Sequence, residues 1–135
     1  MLLGFPLLLL ALAAYNVIVF FTGLRLDDGL FDLQIVSGAR WLFTVADLLL
    51  AVSLVLLFVE ILKSTRTGAS SIVDHMLSTM VFIGCLIEFL MVREAATSTF
   101  FLIMLMALID VVAGYSVTIR AARRDFSVGP GDGPF

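Results

Sequence analysis

Four long apolar runs fill most of the chain, at Leu2 to Phe21, Trp41 to Leu62, Ile72 to Val92 and Phe100 to Ile119. A hydrocarbon slab about 30 Å thick is crossed by about 20 helical residues at about 1.5 Å each, and every run reaches that length. The spacing predicts an all-α protein, a bundle of four transmembrane helices over about 2–22, 40–62, 71–92 and 98–120. With 135 residues, 61% of them hydrophobic and 14% charged, some 55 are left for loops and tails, too few for a second folded domain. The expected organisation is one membrane domain, 1–122, followed by a disordered cytoplasmic tail, 123–135, rich in glycine and proline.

The first run also holds Ala11-Leu12-Ala13, which has the small-x-small form of a signal-peptide cleavage site. No Lys or Arg precedes it and the apolar run continues through Val17 to Phe21, so a retained span is expected. Lys and Arg in short loops stay on the cytoplasmic side. Lys63, Arg66, Arg120, Arg123 and Arg124 oppose Arg25, Arg40 and Arg93, which places both termini in the cytoplasm. The linker from Val92 to Thr97 is short enough to make the last two spans an antiparallel helical hairpin, with Ser70 or Ser71 and Thr97 or Ser98 as candidate helix caps. Between Gly23 and Gly38 the residues fit either a small extracytoplasmic β-hairpin turning at Asp28-Gly29 or an interfacial helical turn using Leu30, Leu33 and Val36.

Charge at −3 is scattered rather than gathered, which argues against a nucleic-acid partner. Cys85 is the sole cysteine, so an intrachain disulfide is excluded. The sequence has no Gly-x-Ser-x-Gly elbow and no glycine-rich phosphate loop. An enzyme is not expected, and neither is a cofactor; a bis-histidine haem is impossible within a chain that has only His75.

The informative residues are the polar ones inside the slab. A carboxylate in hydrocarbon costs at least about 2.5 kcal/mol and needs a partner, a water-lined cavity or a bound proton. Asn16, Asp47, Glu88 and Asp110 are placed by these boundaries in the outer half or near the middle, one on each helix, and form the candidate polar or ion site. Glu60, Asp74 and His75 form a second cluster toward the cytoplasm, where His75 fits a headgroup position as well as a titrating one. Asp74, Ser78, Cys85 and Glu88 fall within a sector of roughly 80° on the third helix, which should face inward. Thr99, Ile103, Asp110, Gly114, Val117 and Ala121 share a face of the fourth. On the second helix Asp47 lies with Ala51, Leu54 and Phe58, while Ser53 and Glu60 point elsewhere; either Glu60 pairs with Lys63 or this helix meets a second subunit. The carboxyls read either as a relay or cation site, or as structural groups bonded to Asn16, Ser78, Thr99 or Tyr115, with Glu88 paired to Arg93 or Arg40.

Over spans two to four, the glutamate in Phe58-Val59-Glu60-Ile61, the short linker and the basic tail Arg120 to Arg124 resemble the phosphate-starvation-inducible PsiE-like membrane proteins. Glu88 stands where an arginine would be expected in that family. The resemblance implies a small bacterial inner-membrane protein and carries over no catalytic residue. Small multidrug transporters also have four short spans, but their essential glutamate belongs in span one, where this chain has Asn16. The expected function is a non-catalytic subunit of the inner membrane that self-associates or docks on a larger complex through small-residue faces around Gly114 and Ala107; the alternative is a proton- or cation-conducting bundle built on Asp110, Asp47 and Glu88.

Overall fold

The computed structural model describes residues 4–65 and 70–127; the side chains of 70, 71, 118 and 121–127 are outside that description. The described chain is mostly helical, with four helices and one β-hairpin. Helix α1 covers Leu8–Phe21, strands β1 and β2 cover Gly29–Gln34 and Arg40–Thr44, and helices α2, α3 and α4 cover Val45–Ser64, Ser70–Met91 and Ser98–Ser127. A single 3-10 turn, Arg93–Ala95, joins α3 to α4. The segments Val45–Ser64, Ile72–Met91 and Ser98–Val117 are long and apolar enough to cross a membrane; α1 is shorter.

Two predicted helices begin too early. The run expected from residue 2 becomes helical only at Leu8, after Pro6, and its 14 residues span about 21 Å. The second helix begins at Val45 rather than at 40, because Thr44 caps it: the Thr44 hydroxyl accepts the Asp47 N–H at 3.2 Å and the Asp47 carboxylate accepts the Thr44 N–H at 3.1 Å. This reciprocal pair satisfies donors that the first turn leaves open. Two more are met from the loop, with Val45 N–H donating to the Asp28 carbonyl and Ala46 N–H to the Leu26 carbonyl, both at 2.9 Å.

Residues 40–44 are therefore a strand, and the hairpin reading of the outer loop is the one observed. Its turn lies at Ile35–Ala39, with Gly38 at φ +91°, and not at Asp28-Gly29. Gly29 sits instead at the foot of β1 against Leu42, whose Cδ1 would lie 2.6 Å from a Cβ there. At the far end α4 continues to Ser127, because Arg120-Ala121-Ala122-Arg123-Arg124 is composed of strong helix formers. Residues 123–127 of the expected tail are thus helical, while 128–135, like the Arg66 to Gly68 part of the expected helix break, lie outside the described residues.

Helix α4 packs on both α2 and α3, and α1 lies mainly against α2. Tyr15, Phe100, Leu8, Ile103, Cys85 and Ser53 fill the centre. Apolar surface on the outside of such helices gains nothing by leaving lipid, so close packing and interior hydrogen bonds hold the bundle. The antiparallel register of α3 and α4 is fixed at both ends: Phe89 stacks on Phe100, ring centroids 6.2 Å apart, and His75 fits the gap at Gly114 beside Tyr115.

Candidate functional site: two separated polar clusters

The four polar residues expected to meet do not share one site. Asn16 and Glu88 do come together, the Asn16 amide donating to Glu88 Oε1 at 3.1 Å and to the Leu12 carbonyl at 3.1 Å. Beside them the Tyr15 hydroxyl donates to the Glu94 carbonyl and lies 2.8 Å from Thr97 Oγ1. Thr97 in turn caps α4, accepting the Phe100 N–H at 3.1 Å. This cluster ties α1 and α3 to the α3–α4 turn. Arg40, a candidate partner for Glu88, pairs with Asp32 at 3.7 Å instead.

Asp47 belongs to the cap of α2. Its face, with Ala51, Leu54 and Phe58, turns outward, whereas Val45, Leu49, Ser53, Leu57 and Glu60 are buried. The inward choice on this helix is the reverse of the one that would bring Asp47 into the bundle. An aspartate three residues after a threonine is a cap signal in its own right, and it outweighs depth counted from the first apolar residue.

Asp110 joins the second cluster. It is 6% exposed, its hydrogen-bonding neighbour is Ser78, and Glu60, Lys63 and Asp74 lie within electrostatic reach. His75, at 5% exposure, packs one turn away from Ser78 on the same face of α3, its ring centroid 5.4 Å from that of Tyr115. The Tyr115 hydroxyl lies 3.3 Å from Thr79 Oγ1. Of the sector expected to face inward on α3, Ser78 and Cys85 are buried and Asp74 and Glu88 partly so; His75 and Val81 are the other buried residues among those described on that helix.

Lys63, counted from the sequence with the linker after the second span, lies in the last turn of α2 and is buried beside Glu60. Its ammonium lies 3.2 Å from Glu60 Oε1 and donates to the Phe5 carbonyl at 2.6 Å, and Glu60 also accepts the Leu7 N–H. The Lys63 and Glu60 side chains are only 8% and 4% exposed. Together they clasp the segment leading into α1. Of the two alternatives for Glu60, the pairing with Lys63 is the one observed, as the i, i+3 spacing on a helix favours.

Tyr15 carried a plainer signal that went unused, since a tyrosine inside an apolar helix must find a partner for its hydroxyl. Gly114 and Ala107, expected to meet another subunit, are spent within the protomer: Ala107 is buried and Gly114 receives the His75 ring.

Between the clusters lie buried side chains without carboxyls or bases, namely Val81, Cys85, Ile103, Met106, Ala107 and Ser53, whose hydroxyl donates to the Leu49 carbonyl at 2.7 Å. Along α3 the ten residues from Ser78 to Glu88 correspond to about 15 Å. Two carboxylate oxygens, Asp74 Oδ1 and Glu88 Oε2, are buried and lack a hydrogen-bond partner, one in each cluster. Two open clefts of about 320 Å³ lie at the end of the bundle that holds the first cluster, one against Phe89, Thr97 and Phe101 and one against Val19, Arg25 and Glu94. Among the described residues no group of three His, Cys, Asp or Glu is arranged to hold a metal ion. No known protein family, curated protein or solved structure matches the chain.

Proposed function

We propose that this chain is a small polytopic protein of the bacterial inner membrane, four-spanning with both termini cytoplasmic, that serves as a non-catalytic subunit, self-associating or docked on a larger membrane complex. The observation that carries this reading is the layer of Val81, Cys85, Ile103, Met106 and Ala107 between the two polar clusters, where the one buried hydroxyl among the described residues, that of Ser53, is spent within its own helix on the Leu49 carbonyl at 2.7 Å. An ion or proton path needs polar groups or water in sequence across the slab, and inside the protomer that sequence is interrupted. The buried charges are used instead to fasten helices: Glu60 and Lys63 hold the entry to α1, and Asn16 and Tyr15 hold its other half to α3 and the α3–α4 turn. Helix α1 thereby reaches from one end of the bundle to the other, which supports counting it as a fourth, short span seated in a locally thinned or tilted arrangement.

An outward face on α3 supports association. Met76, Met80, Ile83, Ile87 and Met91 form an exposed apolar stripe, and Gly84 beside them has open space where a side chain would be. A neighbouring helix can approach closely at such a place.

The second reading, a proton- or cation-conducting bundle, is favoured by the unpartnered Asp74 and Glu88 oxygens. Reconstitution into liposomes holding a pH-sensitive dye separates the two. The subunit reading expects no flux above that of empty liposomes and a fixed stoichiometry in nanodiscs by mass determination. A flux that Asp110→Asn abolishes would overturn it.

A further inference from the structure

The β1–β2 hairpin has two unlike faces. Directly opposed residues in an antiparallel pair share a face, so the pairings Phe31 with Phe43 and Leu33 with Trp41 put four large apolar side chains on one side. Phe31 and Phe43 stack with centroids 4.7 Å apart at 8°, and Trp41 meets Phe43 edge-on at 5.4 Å. The other side carries Asp32, Gln34, Arg40 and Leu42, with the Asp32–Arg40 ion pair across it.

The aromatic side is only partly covered: Phe31, Leu33 and Trp41 remain about half exposed, Phe43 less so, and Val36 at the tip is wholly exposed. In water such a face is unfavourable, and an isolated two-stranded hairpin is marginal by itself. What covers it follows from where the hairpin is rooted. Thr44 is both the last residue of β2 and the cap of α2, and the Asp28 and Leu26 carbonyls hold the first turn of that helix. The exposed apolar surface therefore continues without a linker from the hairpin into the outward side of α2, at Leu48, Val52 and Val55. Continuous with a helix surface that faces acyl chains, and rich in the aromatic rings that favour the level where acyl chains meet headgroups, this face fits phospholipid.

We propose that the hairpin lies on the headgroup region of the membrane that α2 enters, its Phe31, Leu33, Trp41 and Phe43 face seated at the glycerol level and its Asp32–Arg40 face toward water. The proposal rests on the reading that α2 to α4 cross the bilayer. The hairpin then acts as a float that sets how deeply the outer end of α2 sits, since the Thr44 cap transmits its position directly to the helix.

Trp41 is the sole tryptophan, so its fluorescence reports this face alone. The full chain is reconstituted into phosphatidylcholine–phosphatidylglycerol vesicles whose acyl chains are brominated either near the glycerol or near the methyl end. The expected result is quenching of about twofold or more by the shallow bromines, weaker quenching by the deep ones, and little by aqueous iodide. In Phe31→Asp, the iodide effect should rise severalfold and the shallow-bromine effect fall. Strong iodide quenching of the wild-type chain would overturn the proposal by placing the hairpin in water. Stronger quenching by deep bromines would overturn it by placing Trp41 among acyl tails. Protection from every quencher would overturn it in favour of a protein neighbour, a second copy included. Carbonate extraction distinguishes the failures: a chain released from the vesicles refutes the spanning reading as well, whereas a retained chain with an iodide-accessible Trp41 refutes the hairpin proposal alone.

Discussion

The Glu60–Lys63 pair permits a test with a sign that exposed ion pairs do not have. Lys63 Nζ has two acceptors, Glu60 Oε1 at 3.2 Å and the Phe5 carbonyl at 2.6 Å, and both charged side chains are more than nine-tenths covered. Removing one member of a buried pair leaves the other charged and unpaired, at about 3–5 kcal/mol. Lys63→Met leaves both acceptors without their donor, and it also removes a cation within electrostatic reach of Asp110; a loss of about 4 kcal/mol is expected. Glu60→Gln keeps an oxygen for the Leu7 N–H and for Lys63, so its loss should be smaller, about 2 kcal/mol. The double variant removes both charges and leaves chiefly the Phe5 carbonyl unsatisfied, about 1–3 kcal/mol. The losses should therefore be strongly non-additive, with the double variant more stable than Lys63→Met alone. The measurement is unfolding in mixed micelles titrated with sodium dodecyl sulfate, followed by far-ultraviolet circular dichroism. Losses that add, or a Lys63→Met effect below about 1 kcal/mol as for exposed pairs, would refute the clasp as the fastening of α1.

The two glycines of the spans should respond oppositely. Gly114→Ala places a Cβ 2.6 Å from His75 Nδ1 and should cost about 1–3 kcal/mol in the same unfolding measurement, while Gly84→Ala meets open space and should stabilise by up to about 1 kcal/mol through helix propensity. An equal loss at both positions would contradict the register of α3 against α4. Tyr15→Phe keeps the ring against Phe100, at a centroid distance of 5.0 Å, and removes only the hydroxyl bonded to Glu94 and Thr97. About 1 kcal/mol should be lost, since hydrogen bonds within membrane bundles average less than that each; a neutral result would show that the α1 contact is made by packing alone.

Much of the architecture was legible because bilayer thickness fixes helix length, and the inward sector of α3 was legible because helical periodicity fixes which residues share a side. The Ser78–Cys85 side of α3 and the Ile103–Asp110 side of α4 are buried as their spacing requires. The hairpin was legible as one of two possibilities, but its turn was not. Asp28-Gly29 is the stronger local turn signal, yet Gly29 is needed where Leu42 crosses, and Gly38 takes the positive φ. The backbone partners of Tyr15 and Lys63 were illegible for another reason. Backbone carbonyls at Phe5 and Glu94 accept their hydrogen bonds, and backbone acceptors leave no trace in residue identity.

The misplacement of the polar site has one cause, and it can be followed in residues. Depth in a membrane helix is counted from its first residue, so an apolar run that opens with a strand shifts every later position. Counting α2 from 40 puts Glu60 twenty residues in and Asp110 twelve residues past the start of α4, a mismatch of about 12 Å at helical rise. Counting from the Thr44 and Thr97 caps makes them sixteen and thirteen, about 4.5 Å apart in level, and the two carboxyls fall into one cluster. The same shift puts Asp47 in the first turn of α2. Both corrections were available in Thr44-x-x-Asp47, because a capping box fixes a helix start within a residue, whereas hydropathy responds equally to an aromatic strand and an apolar helix. The cluster of Glu60, Lys63, Asp74 and Asp110 is thus a consequence of where a threonine hydroxyl halts a β-strand, about 24 Å away along α2.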